Sequence, residues 1–350
     1  MPSMLNDTYR PASARYDAMQ YRRVGESGLL LPAVSLGMWH NFGDDTPLQR
    51  QREIVRAAFD LGITHFDLAN GYGPPMGSAE KNVGRLLAED FANLRDEIIV
   101  STKAGYDFFP GPYGRGGGSK YLLGSLEHSL TSLRLDYVDI FYSHRFDPNT
   151  PLEETARALD TAVRSGKARY VGVSSYSAER TLEIAALLDD LGTPLAIHQP
   201  SYSLLNRWVE AGSPSLLEVL RDKGIGCIAF SALAQGLLTT KYLDGIPEGS
   251  RATQGKTLRD GMLSQQNLDN VAALNKIAQR RGQPLSQMAL AWVLRQEQIS
   301  SVLVGASRPS QLADSVQAIG SPEFSSDDLA EIDEYAVDGD LNIWLASSTA

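Results

Sequence analysis

The chain contains a single cysteine, Cys227, so no intrachain disulfide can staple it. That residue sits in the apolar stretch Gly226-Cys227-Ile228-Ala229-Phe230 and reads as a buried strand thiol. Long apolar runs are also missing. None approaches the roughly 20 residues that a membrane span needs, and the polar start of the chain has no apolar signal-peptide core. The expectation is therefore a cytoplasmic protein with no membrane partner. Positive charge is scarce, with 32 Lys and Arg against 42 Asp and Glu and a formal net charge of -10. Such a surface repels phosphate backbones and argues against nucleic acid as a partner. It still permits an anionic cofactor wherever a few basic groups gather locally.

Several motifs are absent too. The five histidines, His40, His65, His128, His144 and His198, are dispersed and form no metal-ligand pattern, so no metal is expected. There is no G-x-S-x-G elbow and no G-x-G-x-x-G fingerprint. Gly114-Arg115-Gly116-Gly117-Gly118-Ser119-Lys120 resembles a phosphate loop only superficially, because it lacks the G-K-[ST] ending. The stretch 111–118 reads instead as a mobile loop.

What is present is an alternation. Short apolar runs at 33–36, 64–66, 98–102, 138–142, 170–173, 195–198, 226–230 and 302–304 lack a clean polar alternation, as strands covered on both faces do. Between them lie amphipathic stretches, among them 47–61, 78–88, 119–133, 151–165 and 178–191. Thr46-Pro47 and Thr150-Pro151 read as caps followed by proline at the first helical position, and Gly62 and Gly166 as left-handed helix stops. Eight βα units favour a closed α/β barrel, the (β/α)8 or TIM barrel, over an open sheet. Segments 19–24 and 29–31 around Gly25-Glu26-Ser27-Gly28 predict an N-terminal β-hairpin placed to plug the barrel. A long insert, 231–301, separates strands 7 and 8, with an irregular polar part at 245–262 and helical patterns at 266–281 and 284–295. No linker breaks the pattern. The expected organisation is a flexible arm over 1–18 and a single barrel domain over 19–350.

Barrel enzymes carry their chemistry just beyond the C-terminal ends of the strands. Asp67 follows the second strand, Tyr72 lies five residues later between glycines, Lys103 ends the third strand and His144 ends the fourth. Singly, each has an ordinary structural role open to it, as an ion pair, loop packing or a satisfied core imidazole. Together they suit proton transfer to a carbonyl, with Lys103 aimed by Asp67 and bringing the Tyr72 pKa down. Hydride must then come from a cofactor.

These residues carry a resemblance. Gly62-Ile63-Thr64-His65-Phe66-Asp67 with Tyr72-Gly73, Ser101-Thr102-Lys103, and the run from Val138-Asp139 to His144-Arg145 are similar to the aldo-keto reductase family, from about Tyr21 to the C-terminus. Trp39-His40-Asn41-Phe42-Gly43, Tyr72-Gly73-Pro74-Pro75, Pro110-Gly111-Pro112-Tyr113-Gly114 and Leu341-Asn342-Ile343-Trp344 most resemble its bacterial L-glyceraldehyde 3-phosphate reductases. Potassium-channel β-subunits share that broader subgroup. The resemblance implies an oxidoreductase with NADPH/NADP as cofactor, a small carbonyl substrate such as a triose phosphate or methylglyoxal, and a tetrad at Asp67, Tyr72, Lys103 and His144. A homo-oligomer is compatible with it. It also implies cofactor contacts, to which Asp67 belongs. Trp39 borders the nicotinamide, Ser174 and Gln199 hold its carboxamide, and Phe230 stacks on its ring. Ser231, Leu233, Gln235, Gly236 and Lys241 follow the pyrophosphate. Gly305, Ser307, Arg308, Gln311 and Ser315 lie toward the adenosine end. Two departures touch these contacts: Ala232 stands where many members have proline, and Asp314-Ser315 where many have Glu-Asn. Two other readings compete, a Schiff-base aldolase acting through Lys103 and a cofactor-binding regulatory subunit with little turnover.

Overall fold

The strands lack polar alternation because both of their faces are covered; every residue of Val138–Ser143 and Ile299–Val304 is buried. The computed structural model describes residues 9–242 and 260–348. Its strands are β1 (Tyr21–Arg23), β2 (Leu30–Pro32), β3 (Val34–Gly37), β4 (His65–Asp67), β5 (Ile99–Ala104), β6 (Val138–Ser143), β7 (Ala168–Ser174), β8 (Ile197–Gln199), β9 (Gly226–Ala229) and β10 (Ile299–Val304). β3 to β10 close into a parallel barrel in the order β10-β3-β4-β5-β6-β7-β8-β9. The fold is the expected (β/α)8 barrel.

Helices α1 (Leu48–Asp60), α2 (Ser78–Asp90), α3 (Ser119–Leu133), α4 (Leu152–Arg164), α5 (Ala178–Leu191) and α6 (Leu216–Asp222) each follow one strand, from β3 to β8. The long insert after β9 supplies α7 (Gln265–Arg280) and α8 (Leu285–Leu294), near the two expected helical patterns. Most of its irregular part, 245–259, lies outside the described residues. After β10 come α9 (Pro309–Val316), α10 (Ser326–Tyr335) and α11 (Leu345–Ser348).

β1 and β2 pair antiparallel with Arg22 opposite Leu31. Val24, Leu29 and Leu31 pack on the interior residues Ile140, Tyr142, Ile197, Ile228 and Leu303, which makes the hairpin the floor of the barrel. A side chain at Gly25 could not make this approach. Its backbone has φ +53°, and a Cβ there would lie 2.0 Å from the Gly224 carbonyl oxygen.

Four expectations need correction. The prolines at 47 and 151 are themselves the capping residues, with helices starting at Leu48 and Leu152. Both have extended backbone, with ψ of 132° and 130°, and the Pro47 carbonyl accepts from the amide of Gln51 at 3.2 Å. Gly62 and Gly166 do adopt φ of +80° and +74° at the following stops. The arm is not loose from residue 9 onward. The Tyr9 hydroxyl bonds Asp60 at 2.8 Å, the Ala12 amide reaches the same carboxylate at 2.7 Å, and Arg15 pairs with Glu97. The last strand begins at Ile299 rather than 302, because Ser300 and Ser301 are polar yet buried. The glycine loop, read as mobile, is pinned in its second half. Gly117 and Ser119 donate their amides to Asp147 and Glu154, each at 2.9 Å. The chain's own carboxylates thus take the positions a phosphate would need.

Candidate active site

Parallel pairing fixes how the rim is composed. Gly37 lies beside Asp67, Asp67 beside Ser101, and Lys103 beside Tyr142 on successive strands. Residues two apart along a strand share a face, so Ser101 and Lys103 both enter the barrel with Asp67 between them. Lys103 is fully buried, and its ammonium has three partners: Asp67 Oδ2 at 2.5 Å, the Leu68 carbonyl at 2.7 Å and Tyr72 Oη at 3.3 Å. An ammonium has three N–H donors, and all are used. Asp67 is equally occupied. Its Oδ1 accepts from Ser101 Oγ at 2.6 Å and from Gln199 Nε2 at 3.1 Å. A buried ion pair holds only when the remaining hydrogen bonds of both ions are met, and here they are.

Glycine is required at one neighbouring point. A Cβ at Gly172 would lie 2.5 Å from the ring of Tyr142, which itself sits 5.7 Å beneath the Lys103 ammonium.

Tyr72 stands among aromatic rings, 5.8 Å from Trp39 and 5.9 Å from His144, with Tyr106 4.7 Å beyond His144. Burial, Asp67 and Tyr106 together push the Tyr72 pKa well above that of a free phenol. This reverses the expected direction. The charge of Lys103 is matched by Asp67, so little net positive field remains to favour tyrosinate, and burial prevails. Burial likewise draws the Lys103 pKa down, opposed by Asp67. His144 is held neutral by burial, with Lys103 and Arg145 adding to the effect, and its Nδ1 has no hydrogen-bond partner among the described residues.

The remaining predicted residues ring the same mouth. Ser174 ends β7 and donates to the Gln199 carbonyl at 2.8 Å. Gln199 ends β8 and is joined to Asp67 as well, a link its expected carboxamide role did not include. Phe230 follows β9 and bridges to Ser201. Beyond it Ser231, Ala234, Gln235 and Gly236 all have positive φ, and the amides of Ala234 and Gly236 close tight turns onto the carbonyls of Ser231 and Leu233, each at 2.8 Å. Leu233 lies within this run, and Lys241 is exposed shortly after it. Beyond β10 come Gly305 and Ser307, and Arg308 caps α9 with proline in the first turn. Gln311 Oε1 accepts from both the amide and the hydroxyl of Ser307, at 2.8 and 3.1 Å, and Ser315 returns its hydroxyl to the Gln311 carbonyl at 2.8 Å. Asn41 ties the first rim loop to the last by donating to the Ala306 carbonyl at 2.9 Å.

These residues fit a nicotinamide dinucleotide on structural grounds. A buried imidazole nitrogen is unpartnered beside the phenol, a run of tight left-handed turns follows β9, and a helix N-terminus with an exposed arginine lies after β10.

Three residues in and around the site were given no role by the motif reading. Trp344 reaches back from the C-terminal segment to meet Phe230 edge-on at 4.6 Å. Glu80 on α2 is fully buried behind the third strand, accepts from Thr102 Oγ1 at 2.6 Å, and has its pKa pushed up to about 7 by burial. Arg145 is half-buried, with its guanidinium carbon 4.6 Å above the Tyr106 ring and Nε donating to the Gly105 carbonyl at 3.3 Å. In the sequence Arg145 closes the run that begins at Val138-Asp139, where nothing beyond its place after His144 gave it a role of its own.

A parallel barrel whose rim sets a buried acid–lysine pair against a protonated phenol and a neutral imidazole defines an enzyme of carbonyl chemistry. The chain belongs to the aldo/keto reductase family, whose pattern it matches over residues 33–337, and it is an oxidoreductase. It is 60% identical over 338 residues to the L-glyceraldehyde 3-phosphate reductase of Escherichia coli K12, covering 95% of this chain and 97% of that one. It is 35% identical over 306 residues to a probable voltage-gated potassium channel subunit beta of Arabidopsis thaliana, covering 86% and 91%. Among solved structures it is similar to an aldo-keto reductase from Bacillus halodurans in its holo form, with TM-score 0.73 and 25% identity, covering 91% of this chain and 96% of that one. Among the described residues no helix is long and apolar enough to cross a membrane.

Proposed function

We propose that this enzyme reduces small aldehydes, L-glyceraldehyde 3-phosphate and methylglyoxal-like carbonyls among them, with NADPH as reductant and Tyr72 as proton donor. The observation that carries the reading is the contact of Tyr72 Oη with Lys103 Nζ at 3.3 Å, the ammonium being held in turn by Asp67. The dinucleotide supplies hydride when bound. As negative charge grows on the carbonyl oxygen, the Tyr72 phenol gives up its proton to it. The tyrosinate left behind faces the Lys103 ammonium, an attraction absent from the neutral ground state, so the pair favours the transition state selectively. Neutral His144 offers an N–H to the same oxygen and orients it. Its low pKa suits it to donating a hydrogen bond rather than a proton.

Similarity to the E. coli reductase supports the triose phosphate as substrate. Arg145 supports it further, as a half-buried cation beside His144 with no ion-pair partner among the described residues. A guanidinium suits a phosphate by shape and permanent charge. The test is Tyr72→Phe, which keeps the ring and removes the proton. NADPH binding should persist while aldehyde reduction falls by on the order of a hundredfold or more. A variant that keeps most of the wild-type turnover would remove Tyr72 from the role.

A further inference from the structure

Most of the barrel interior is apolar, lined by Ile140, Ile197, Ile228 and Leu303, but one stripe of it is polar. Ser301, Ser35, His65 and Ser101 lie on β10, β3, β4 and β5, four strands adjacent around the barrel, and none of the four is exposed. They join end to end. Ser301 Oγ is 2.6 Å from Ser35 Oγ, Ser35 Oγ is 3.0 Å from His65 Nδ1, and His65 Nε2 is 2.9 Å from Ser101 Oγ. Ser101 Oγ then donates to Asp67 Oδ1 at 2.6 Å.

The direction of these bonds follows from their terminus. The Asp67 carboxylate only accepts, so the single proton of Ser101 is committed to it. Ser101 must therefore accept from His65, which puts the imidazole proton on Nε2. Nδ1 is then a bare acceptor, met by the hydroxyl of Ser35, which accepts from Ser301 in turn. The opposite tautomer would leave Nε2 facing Ser101 without a proton. The serine would then be drawn away from Asp67, which would lose its nearer Oδ1 donor. Burial draws the His65 pKa down to about 4, so the ring is neutral and has one N–H to place.

We infer that His65 is a positioning residue of the reductase: its Nε2–H fixes the Ser101 hydroxyl on Asp67, and so fixes the Asp67 carboxylate that aims Lys103 at Tyr72. The inference rests on the roles proposed above for Lys103 and Tyr72. Asp67 has two faces to satisfy, and the chain holds one so that the other stays turned to the ammonium. Charge-assisted bonds are the stronger and shorter kind, so the end of the chain at Asp67 governs its polarity.

Two measurements test this. Nitrogen-15 NMR of the histidine rings in the wild-type protein with NADP bound reads the tautomer directly, with the His65 signal assigned from its loss in His65→Gln. The Nε2–H form is expected; an Nδ1–H form or an imidazolium near neutral pH overturns the inference. Steady-state kinetics then separate positioning from packing. His65→Leu should lower kcat about tenfold or more, the scale of one hydrogen bond to a charged group, with aldehyde KM and NADPH affinity unchanged. His65→Gln, which keeps an N–H toward Ser101, should recover most of the loss. Wild-type kcat in the leucine variant, or equal loss in both variants, overturns it. If the leucine variant does not fold, Ser101→Ala and Ser101→Thr serve instead. Loss is expected in alanine alone, and equal activity in the two overturns the inference. The tautomer is read without turnover, so failure of the Tyr72→Phe test would leave that result standing and would count only against the proposed chemistry.

Discussion

Lys103 and Tyr72 are joined by a 3.3 Å contact, yet the phenol keeps its proton more tightly than a free tyrosine does. The two facts agree once Asp67 is included, because the ammonium arrives already paired. At rest the phenol is therefore protonated, as the donor role proposed for it requires. Removing one member of the pair should therefore have consequences that removing a lone cation would not.

Lys103→Met is expected to move the alkaline limb of alcohol oxidation to higher pH. The Asp67 charge would then act on Tyr72 unopposed. The variant should also lose about 3–5 kcal/mol of stability, the usual cost of leaving a buried charge without its partner. A pH–rate profile and a urea melt check the two parts. An unmoved profile would mean that another group tunes the phenol.

Glu80 gives a prediction on stability alone. The folded chain retains its proton up to about pH 7, whereas the unfolded chain releases it near 4.5. Raising the pH between these values therefore weakens the folded state, by a total on the order of 3 kcal/mol. Glu80→Gln keeps an oxygen for Thr102 Oγ1 and has no proton to lose. The gap in Tm between variant and wild type should widen in the variant's favour from pH 5 to about pH 7 and then level. A gap that is flat with pH would show that Glu80 does not titrate in this range.

Arg308 bears on the choice between cofactors. It caps α9 beside Ser307, where phosphate would meet both a helix N-terminus and a guanidinium. Arg308→Ala should weaken NADPH binding by about tenfold, as loss of a charged hydrogen bond does, and leave NADH nearly untouched. Dissociation constants for both cofactors decide it. Equal changes in the two would assign Arg308 to the solvated surface.

Arg145 bears on the substrate. Arg145→Met should raise KM for glyceraldehyde 3-phosphate about tenfold, on the same scale, while unphosphorylated glyceraldehyde is reduced as before. Parallel losses on both aldehydes would place Arg145 in support of Tyr106 and His144 rather than in phosphate recognition.

The sequence by itself determined the eight βα units of the barrel and which residues stand at its rim, because both are read from local patterns. Doubly buried strands show as short apolar runs, and a residue at a strand end must project into the mouth; Asp67, Lys103 and His144 could be read that way. The tertiary structure decided what depends on register and closure. Gln199 reaches Asp67 across 132 positions of chain, and Ser301 meets Ser35 across 266, only because β10 closes beside β3. Trp344 finds Phe230 only once the C-terminal segment has folded back over the mouth. The sign of the Tyr72 shift belongs here too. Neighbouring charges can be guessed from a strand-end pattern, but burial is a property of everything packed around the phenol, and burial is what prevails.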